Sequence, residues 1–206
     1  MKPKGYLVFH LNLAFSSIEE EAWADVIRTC YHPLLDLIEE TGVPIGIELT
    51  GWTLRQIERI DNSWIERFKT LLNSNSCELI GSGYCQIIGP LVPYKVNEWN
   101  QKLGIDAYKK ILDCRPKIVL VNEMAFSSSL VDLYSQFGYK GFIMDRDNIK
   151  LALYSSNSTS NKMPTHAKGV DGAVIPVLWS DSILFQKVQH FAHGDISIND
   201  YLGYLK

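Results

Sequence analysis

The feature of this sequence that most constrains its fold is a regular alternation of short apolar runs with longer segments of helical spacing. Six runs have the length and composition of strands, over 6–13, 44–49, 77–80, 118–121, 141–144 and 173–178. Helical spacing follows at 19–41, 53–73, 97–114, 129–137 and 182–193, with a polar loop expected over 155–161. Alternating strands and helices predict βαβ units, whose right-handed crossovers make the sheet parallel.

The apolar runs also predict how the sheet is covered. The segments IVLV and AVIPVL have no polar alternation, so helices should pack on both faces of the sheet or the sheet should close on itself. Pro176 in the last run favours an edge strand or a bulge. A length of 206 residues suits a single domain. The prediction is an α/β domain, either a barrel or a doubly wound sheet.

Composition excludes several classes of function. The chain has 20 Lys and Arg against 23 Asp and Glu, a net charge of −3, and no basic run, which argues against nucleic-acid binding. No apolar stretch approaches the roughly 20 residues of a membrane span, and the first residues lack a signal-peptide pattern, so a cytoplasmic protein is expected. The 4 cysteines form no CxxC pair and are interpreted as buried thiols.

Polar side chains follow the predicted strands, where parallel α/β folds place their functional groups. Successive strands end in His10 and Asn12, in Glu48, Thr50 and Trp52, in Glu78, Tyr84 and Gln86, in Asn122 and Glu123, in Asp145, Arg146 and Asp147, and in Trp179, Ser180 and Asp181. These residues are the candidates for a site.

Glu123 stands out because it follows the apolar strand directly, where a carboxylate can act as nucleophile or base. Structural interpretations remain open: Glu123 could cap the next helix or pair with Arg146. Asp181 is equally a good N-cap of the last helix, and His10 could be a hydrogen-bonded core histidine.

Sugar chemistry fits this set of residues. Retaining glycosidases need two carboxylates roughly 5 to 5.5 Å apart, and aromatic rings suit the faces of sugars; five lie near strand ends, Trp52, Tyr84, Trp99, Phe126 and Trp179. No cofactor or metal is expected. Gly81-Ser82-Gly83 lacks the further glycine and the lysine of nucleotide loops, and His190 and His193 are interpreted as part of a solvated helix end.

Four segments carry a resemblance to glycoside hydrolase family 57. His10 matches the first histidine of its His-x-His-Gln-Pro motif, with Asn12 in place of the second. The segment 77–84 (CELIGSGY), followed by Pro90 and Pro93, is similar to the second motif. The segment 121–126 (VNEMAF) resembles the motif with the nucleophilic Glu, and 178–185 (LWSDSILF) resembles a later stretch with Ser-Asp.

The resemblance implies a (β/α)7 barrel that hydrolyses or transfers α-linked glycosyl units by a retaining mechanism. It implies Glu123 as nucleophile and a sugar site lined by His10, Asn12, Glu78, Tyr84 and Trp179. Asp181 is the strand-end carboxylate left to serve as acid.

The family's own acid lies on a later strand, and this chain shows about six βα units. An incomplete barrel, truncated at its C-terminus, is therefore expected. Because such a sheet has unpaired edges, we expect a longer natural protein or a homo-oligomer that covers them.

Two alternatives differ in chemistry. A polysaccharide deacetylase-like metal hydrolase shares the barrel but needs paired Asp residues after the first strand, where this chain has Asn12, and a His-x-x-x-His helix. A non-catalytic carbohydrate-binding module would keep the pocket and bind sugar without turnover.

Overall fold

The computed structural model describes residues 5–14, 17–146 and 164–205, so the loop expected over 155–161 lies outside it. Its strands are β1 (Val8–Leu11), β2 (Ile45–Leu49), β3 (Cys77–Gly81), β4 (Ile118–Leu120), β5 (Gly141–Asp145), β6 (His166–Lys168) and β7 (Val174–Ser180). They form one sheet in the order β1-β2-β3-β4-β5-β7-β6. All neighbours are parallel except β6 and β7, which are antiparallel.

Helices connect the parallel strands. After β1 come α1 (Trp23–Val26), a π-helical turn (Ile27–Tyr31) and α2 (His32–Thr41); then α3 (Gly51–Ile60) and α4 (Asn62–Asn73) follow β2, and α5 (Tyr94–Leu112) follows β3. Next, α6 (Ser128–Gln136) joins β4 to β5, while α7 (Ser182–His193) and α8 (Ile198–Tyr204) follow β7. Short 3-10 turns lie at Glu20–Ala22, Gly89–Leu91 and Asn122–Met124.

The α/β class and the six parallel strands were predicted correctly. The structure adds β6, a three-residue strand with mostly exposed side chains that has no apolar run to predict it. Pro176 lies in β7, next to the edge strand β6, and not in the edge strand itself.

The single helix predicted over 53–73 is wrong, because the chain breaks at Asp61. This residue leaves the helical region (φ −146°, ψ 84°), and its carboxylate accepts hydrogen bonds from the backbone N–H groups of Ser63 and Trp64. Asp61 therefore starts α4 as its N-cap. The apolar spacing runs through the break, which concealed it.

The two faces of the sheet differ because side chains alternate along each strand. One face packs on the helices in two apolar clusters, the first with Leu11, Ile47 and Leu49, the second with Val121, Phe142 and Met144. We call the opposite face the inner face. It carries His10, Glu48, Ser82 and Asp145 towards the carboxyl ends of the strands.

The inner face is narrow at the start of β2. A Cβ on Gly46 would lie 2.7 Å from the Tyr6 hydroxyl, 3.1 Å from Val8 and 3.2 Å from Ile80, so side chains of β1, of β3 and of the segment before β1 meet there. Across the described ranges, β1 and β6 stand at the two edges of the sheet. Of the helices in those ranges, none has the length and apolar content to cross a membrane.

Candidate functional site

His10 and Glu48 form an ion pair on the inner face. They are direct neighbours in the register of β1 and β2, and His10 Nδ1 hydrogen-bonds Glu48 Oε2. Glu48 is fully buried, whereas 39% of the His10 side chain is exposed. Glu48 Oε1 has no hydrogen-bond partner among the described residues. The buried carboxylate of Glu48 thus holds the partly exposed His10 near the carboxyl ends of β1 and β2.

The pKa of His10 reflects this arrangement. Burial by itself lowers it, but the hydrogen bond that the imidazole donates to Glu48 and the negative charges of Glu48 and Glu123 raise it more, so that the net pKa lies above its usual value. The imidazole is therefore held towards its charged form beside Glu123.

Glu123 is joined to β1 through two side-chain amides. Asn12 Nδ2 donates to Gln86 Oε1 at 2.7 Å, and Gln86 Nε2 donates to Glu123 Oε1 at 2.6 Å. Asn12 Oδ1 accepts from the Ala14 N–H at 3.0 Å. We call Asn12 and Gln86 the amide relay. The structure thus gathers His10, Asn12 and Glu123, three of the predicted site residues.

The backbone at Glu123 is unusual. Glu123 and Met124 both have positive φ angles, 54° and 51°, which cost L-residues about 1 kcal/mol or more each. The preceding Asn122 is buried and anchored on both sides of its amide: Ser82 Oγ donates to its Oδ1 at 2.8 Å, and its Nδ2 donates to the Ser82 carbonyl at 3.1 Å. The turn thus presents the exposed carboxylate of Glu123 next to a residue, Asn122, whose position is fixed by Ser82.

The loop that carries Gln86 is fixed to α5. Asn100 Oδ1 accepts from the N–H groups of Tyr84 and Cys85, at 3.1 and 2.7 Å, and its Nδ2 donates to the Cys85 carbonyl. Beneath it, the buried Tyr108 hydroxyl donates to the Leu49 carbonyl at 2.6 Å and accepts from Ser82 N–H at 3.2 Å. Burial raises the pKa of Tyr108 well above its usual value. These bonds tie the ends of β2 and β3 together.

Three predicted sugar-binding residues lie away from this cluster. Glu78 is near the amino end of β3, where it accepts a hydrogen bond from Tyr6 at 2.8 Å. The Tyr84 ring packs towards α3, 5.5 Å from the guanidinium carbon of Arg55. Trp179 packs on the helix-covered face and donates to the Pro164 carbonyl. The strand-end rule failed for Glu78 because this residue precedes the end of its strand.

Asp181 has a structural role. One carboxylate oxygen accepts from the N–H groups of Ile183 and Leu184, both at 3.1 Å, and the other pairs with Arg146. It is the N-cap of α7, which was the alternative interpretation of this residue, and the arginine suggested for Glu123 pairs with Asp181 instead. Both carboxylate oxygens of Asp181, the expected acid, thus already have hydrogen-bond partners.

Ser82 was not among the predicted site residues, and Glu48, Gln86 and Asn122 were strand-end candidates to which no role in the sugar site was given. A signal was present for Glu48, a carboxylate inside the otherwise apolar strand IGIEL, because a buried charge needs a partner. Ser82 and Asn122 had no such signal, since an amide or hydroxyl after a strand is common in any loop.

A metal centre is not supported by the side chains of the described ranges, which contain no group of three or more His, Cys, Asp or Glu arranged to hold an ion.

A parallel β/α sheet with polar groups and an exposed carboxylate at its carboxyl ends is the architecture of barrel enzymes. A sequence model described as glycosyl hydrolase family 57 matches residues 7–193. The chain belongs to glycosyl hydrolase family 57. A search of curated protein sequences found no match.

Solved structures share the fold. A 4-alpha-glucanotransferase from Thermococcus litoralis is 17% identical with a TM-score of 0.72, over 93% of this chain and 30% of that one. An alpha-amylase from Thermotoga maritima is 15% identical with a TM-score of 0.68, over 91% and 47%. A branching enzyme from Pyrococcus horikoshii is 18% identical with a TM-score of 0.60, over 84% and 46%.

These likenesses establish the fold as an incomplete (β/α)7-type barrel, as predicted. The chain spans less than half the length of each of these enzymes.

Proposed function

We propose that this chain is part of an enzyme that hydrolyses or transfers α-linked glucosyl units by a retaining mechanism, with Glu123 as the nucleophile. The observation that carries the proposal is the placement of Glu123: an exposed carboxylate at the barrel mouth, held by Gln86 at 2.6 Å on a turn anchored to β3. A nucleophile that attacks a sugar carbon has to be accessible and fixed in orientation.

The neighbourhood of Glu123 supports the same role. The partly exposed His10, held towards its charged form by Glu48, can donate to sugar hydroxyls and offset the charge of the nucleophile. The expected partner is an α-linked oligo- or polysaccharide, in line with the family and with the names of the glucanotransferase and the amylase. The cytoplasm remains the predicted location.

The proton donor is a separate question from the nucleophile. Asp181 is occupied by the α7 cap and Arg146, so we assign it to the structure of that helix end. In an aryl glucoside with an acidic phenol, the phenolate leaves without being protonated. Such a substrate allows Glu123 to be tested independently of any acid.

The test is turnover of an activated aryl α-glucoside and of a panel of α-linked oligosaccharides. Glu123→Gln should lower kcat on both by about a thousandfold or more, because it removes the group that forms the covalent intermediate. The matched control is Glu58→Gln, an exposed carboxylate on α3, which should leave both rates unchanged. After reaction with a fluorinated activated glucoside, mass spectrometry should detect a trapped fluoroglucosyl group on Glu123 of the wild type only.

The substitution Asp181→Asn distinguishes a helix-cap role of Asp181 from a role as the acid. A cap role predicts little effect on either substrate, because Asn also caps helices. A large loss on oligosaccharides alone would make Asp181 the acid. Sugar binding by the wild type without turnover of either substrate would contradict the proposal and favour a non-catalytic carbohydrate-binding barrel.

A further inference from the structure

The orientation of the amide relay is determined by a backbone group. The Ala14 N–H can only donate, and it donates to Asn12 Oδ1 at 3.0 Å. This bond places the Nδ2 group of Asn12 towards Gln86. The choice between the two ends of the Asn12 amide is therefore made by the main chain.

The orientation of the Asn12 amide determines that of the Gln86 amide. Because Asn12 Nδ2 donates at 2.7 Å, the atom of Gln86 that faces it has to be the oxygen, Oε1. The other end of the Gln86 amide, Nε2, then points at Glu123 Oε1 at 2.6 Å. Glu123 therefore faces a donor that cannot rotate away without breaking two hydrogen bonds.

This hydrogen bond fixes one carboxylate oxygen of Glu123 in place. The bond also restrains a side chain on a turn with two positive φ angles. We propose that Asn12 and Gln86 are positioning residues that hold the Glu123 carboxylate in a fixed orientation towards the sugar. This inference rests on the proposed function of Glu123.

Other titratable groups lie on the neighbouring strand ends. His10 from β1 acts on Glu123, with Glu48 of β2 behind the imidazole. Cys85 lies beside Gln86 in the loop after β3. Arg146, which follows β5, is paired with Asp181. The variants below leave all of these groups in place, and the charge that Asn12→Asp adds has its own control.

Asn12→Asp tests the proposed orientation. One oxygen of the new carboxylate still accepts from Ala14, and the other has nothing to donate to Gln86. The Gln86 amide then turns its Nε2 towards β1 and presents its oxygen to Glu123, where two acceptors meet. Glu123 should therefore lose its fixed donor, and the NMR signal of its δ-carbon at neutral pH should shift.

The readout is carbon NMR of the protein labelled at the δ-carbons of glutamate, with the Glu123 signal identified by its loss in Glu123→Gln. This measurement needs no turnover. Because the new carboxylate also adds a charge, the same substitution is made in a Gln86→Met background, where no amide can turn. The shift there should be less than half as large.

Equal shifts in the two backgrounds, or none in either, would overturn the proposal. Gln86→Met alone is the second variant, on a partly buried side chain that tolerates exchange. It should shift the δ-carbon signal of Glu123 and lower kcat about tenfold with little change in KM. If Glu123 responds as expected but the wild type turns over no glucoside, the relay stands and the proposed function falls.

Discussion

At the scale of single residues, this site is organised by a charge inside a strand. Glu48 lies in β2 among apolar neighbours, is fully buried, and has one oxygen on His10. A buried carboxylate without a partner is strongly destabilising, so the pair has to form for β1 and β2 to align. The alignment then places His10 beside Glu123.

The ion pair predicts how His10 titrates. Glu48→Gln should lower the pKa of His10, because burial remains while the charge and the stronger acceptor are lost. The measurement is the NMR titration of the imidazole Cε1 proton. The matched control is Glu78→Gln, at the opposite end of the same inner face, which should leave the pKa unchanged. Equal shifts in the two variants would contradict the assignment.

The sign of the pH effect on stability follows from the raised pKa. The contribution of the pair is complete below the unfolded pKa of histidine, about 6.5, and is lost as the pH rises through the higher folded pKa of His10. The difference in urea midpoint between wild type and Glu48→Gln should therefore shrink from neutral to alkaline pH.

At the scale of elements, the break between α3 and α4 is held by a charged network. Arg67 donates to His32 Nδ1 at 3.0 Å, so His32 carries its hydrogen on Nε2, which donates to Asp61 at 2.9 Å. Arg67 also pairs with Asp36 and Glu39 of α2. The break between α3 and α4 is thus bound to the neighbouring helix α2 as well as capped by Asp61.

Asp61→Ala should lower the free energy of unfolding by about 1–2 kcal/mol, the usual cost of losing an N-cap. Asp61→Asn should cost less than half as much, since Asn caps equally well and loses only the charge. Urea unfolding at neutral pH measures both. Equal losses would show that the hydrogen bond with His32, and not the cap, holds the start of α4.

Acid should also weaken the start of α4. Burial by itself raises the pKa of Asp61, but hydrogen bonds from Ser63, His32 and Trp64 lower it more, so the net pKa is below its usual value. Its stabilising contribution is therefore present above the unfolded pKa of about 3.9 and is lost as the pH falls through the folded pKa.

The elements were predictable where local pattern decides them. The apolar runs of β2, β4 and β5 and the helix Ser182–His193 follow from spacing alone. The break at Asp61 was not predicted because its cap residues interrupt a spacing that continues across it. The strand β6 has three residues and, within the described ranges, pairs only with β7, so its existence depends on the sheet.

At the scale of the whole molecule, the inner face is unevenly covered. Ile80 and Ile143 of this face are buried, whereas Leu178 on β7 is 41% exposed. Helices α7 and α8 contain no buried residue. The β7 side of the sheet is thus open, as an incomplete barrel requires.

An open sheet edge predicts self-association of this chain, as a homo-oligomer that covers it. Light scattering after size exclusion should show a mass that rises with concentration. Leu178→Lys should reduce this association, whereas Leu91→Lys, at a side chain that is 77% exposed elsewhere, should not. A monomer at every concentration would contradict the prediction.

The sequence alone determined the α/β class, the parallel strands and Glu123 as the candidate nucleophile, because strand spacing and strand-end position are local properties. Only the tertiary structure decided which polar residues meet. His10 pairs with Glu48 across 38 positions, Asn12 with Gln86 across 74, and Gln86 with Glu123 across 37. Such contacts depend on the register between strands, which no local pattern encodes; the same register leaves Glu78 at the far end of the sheet and Asp181 on a helix cap.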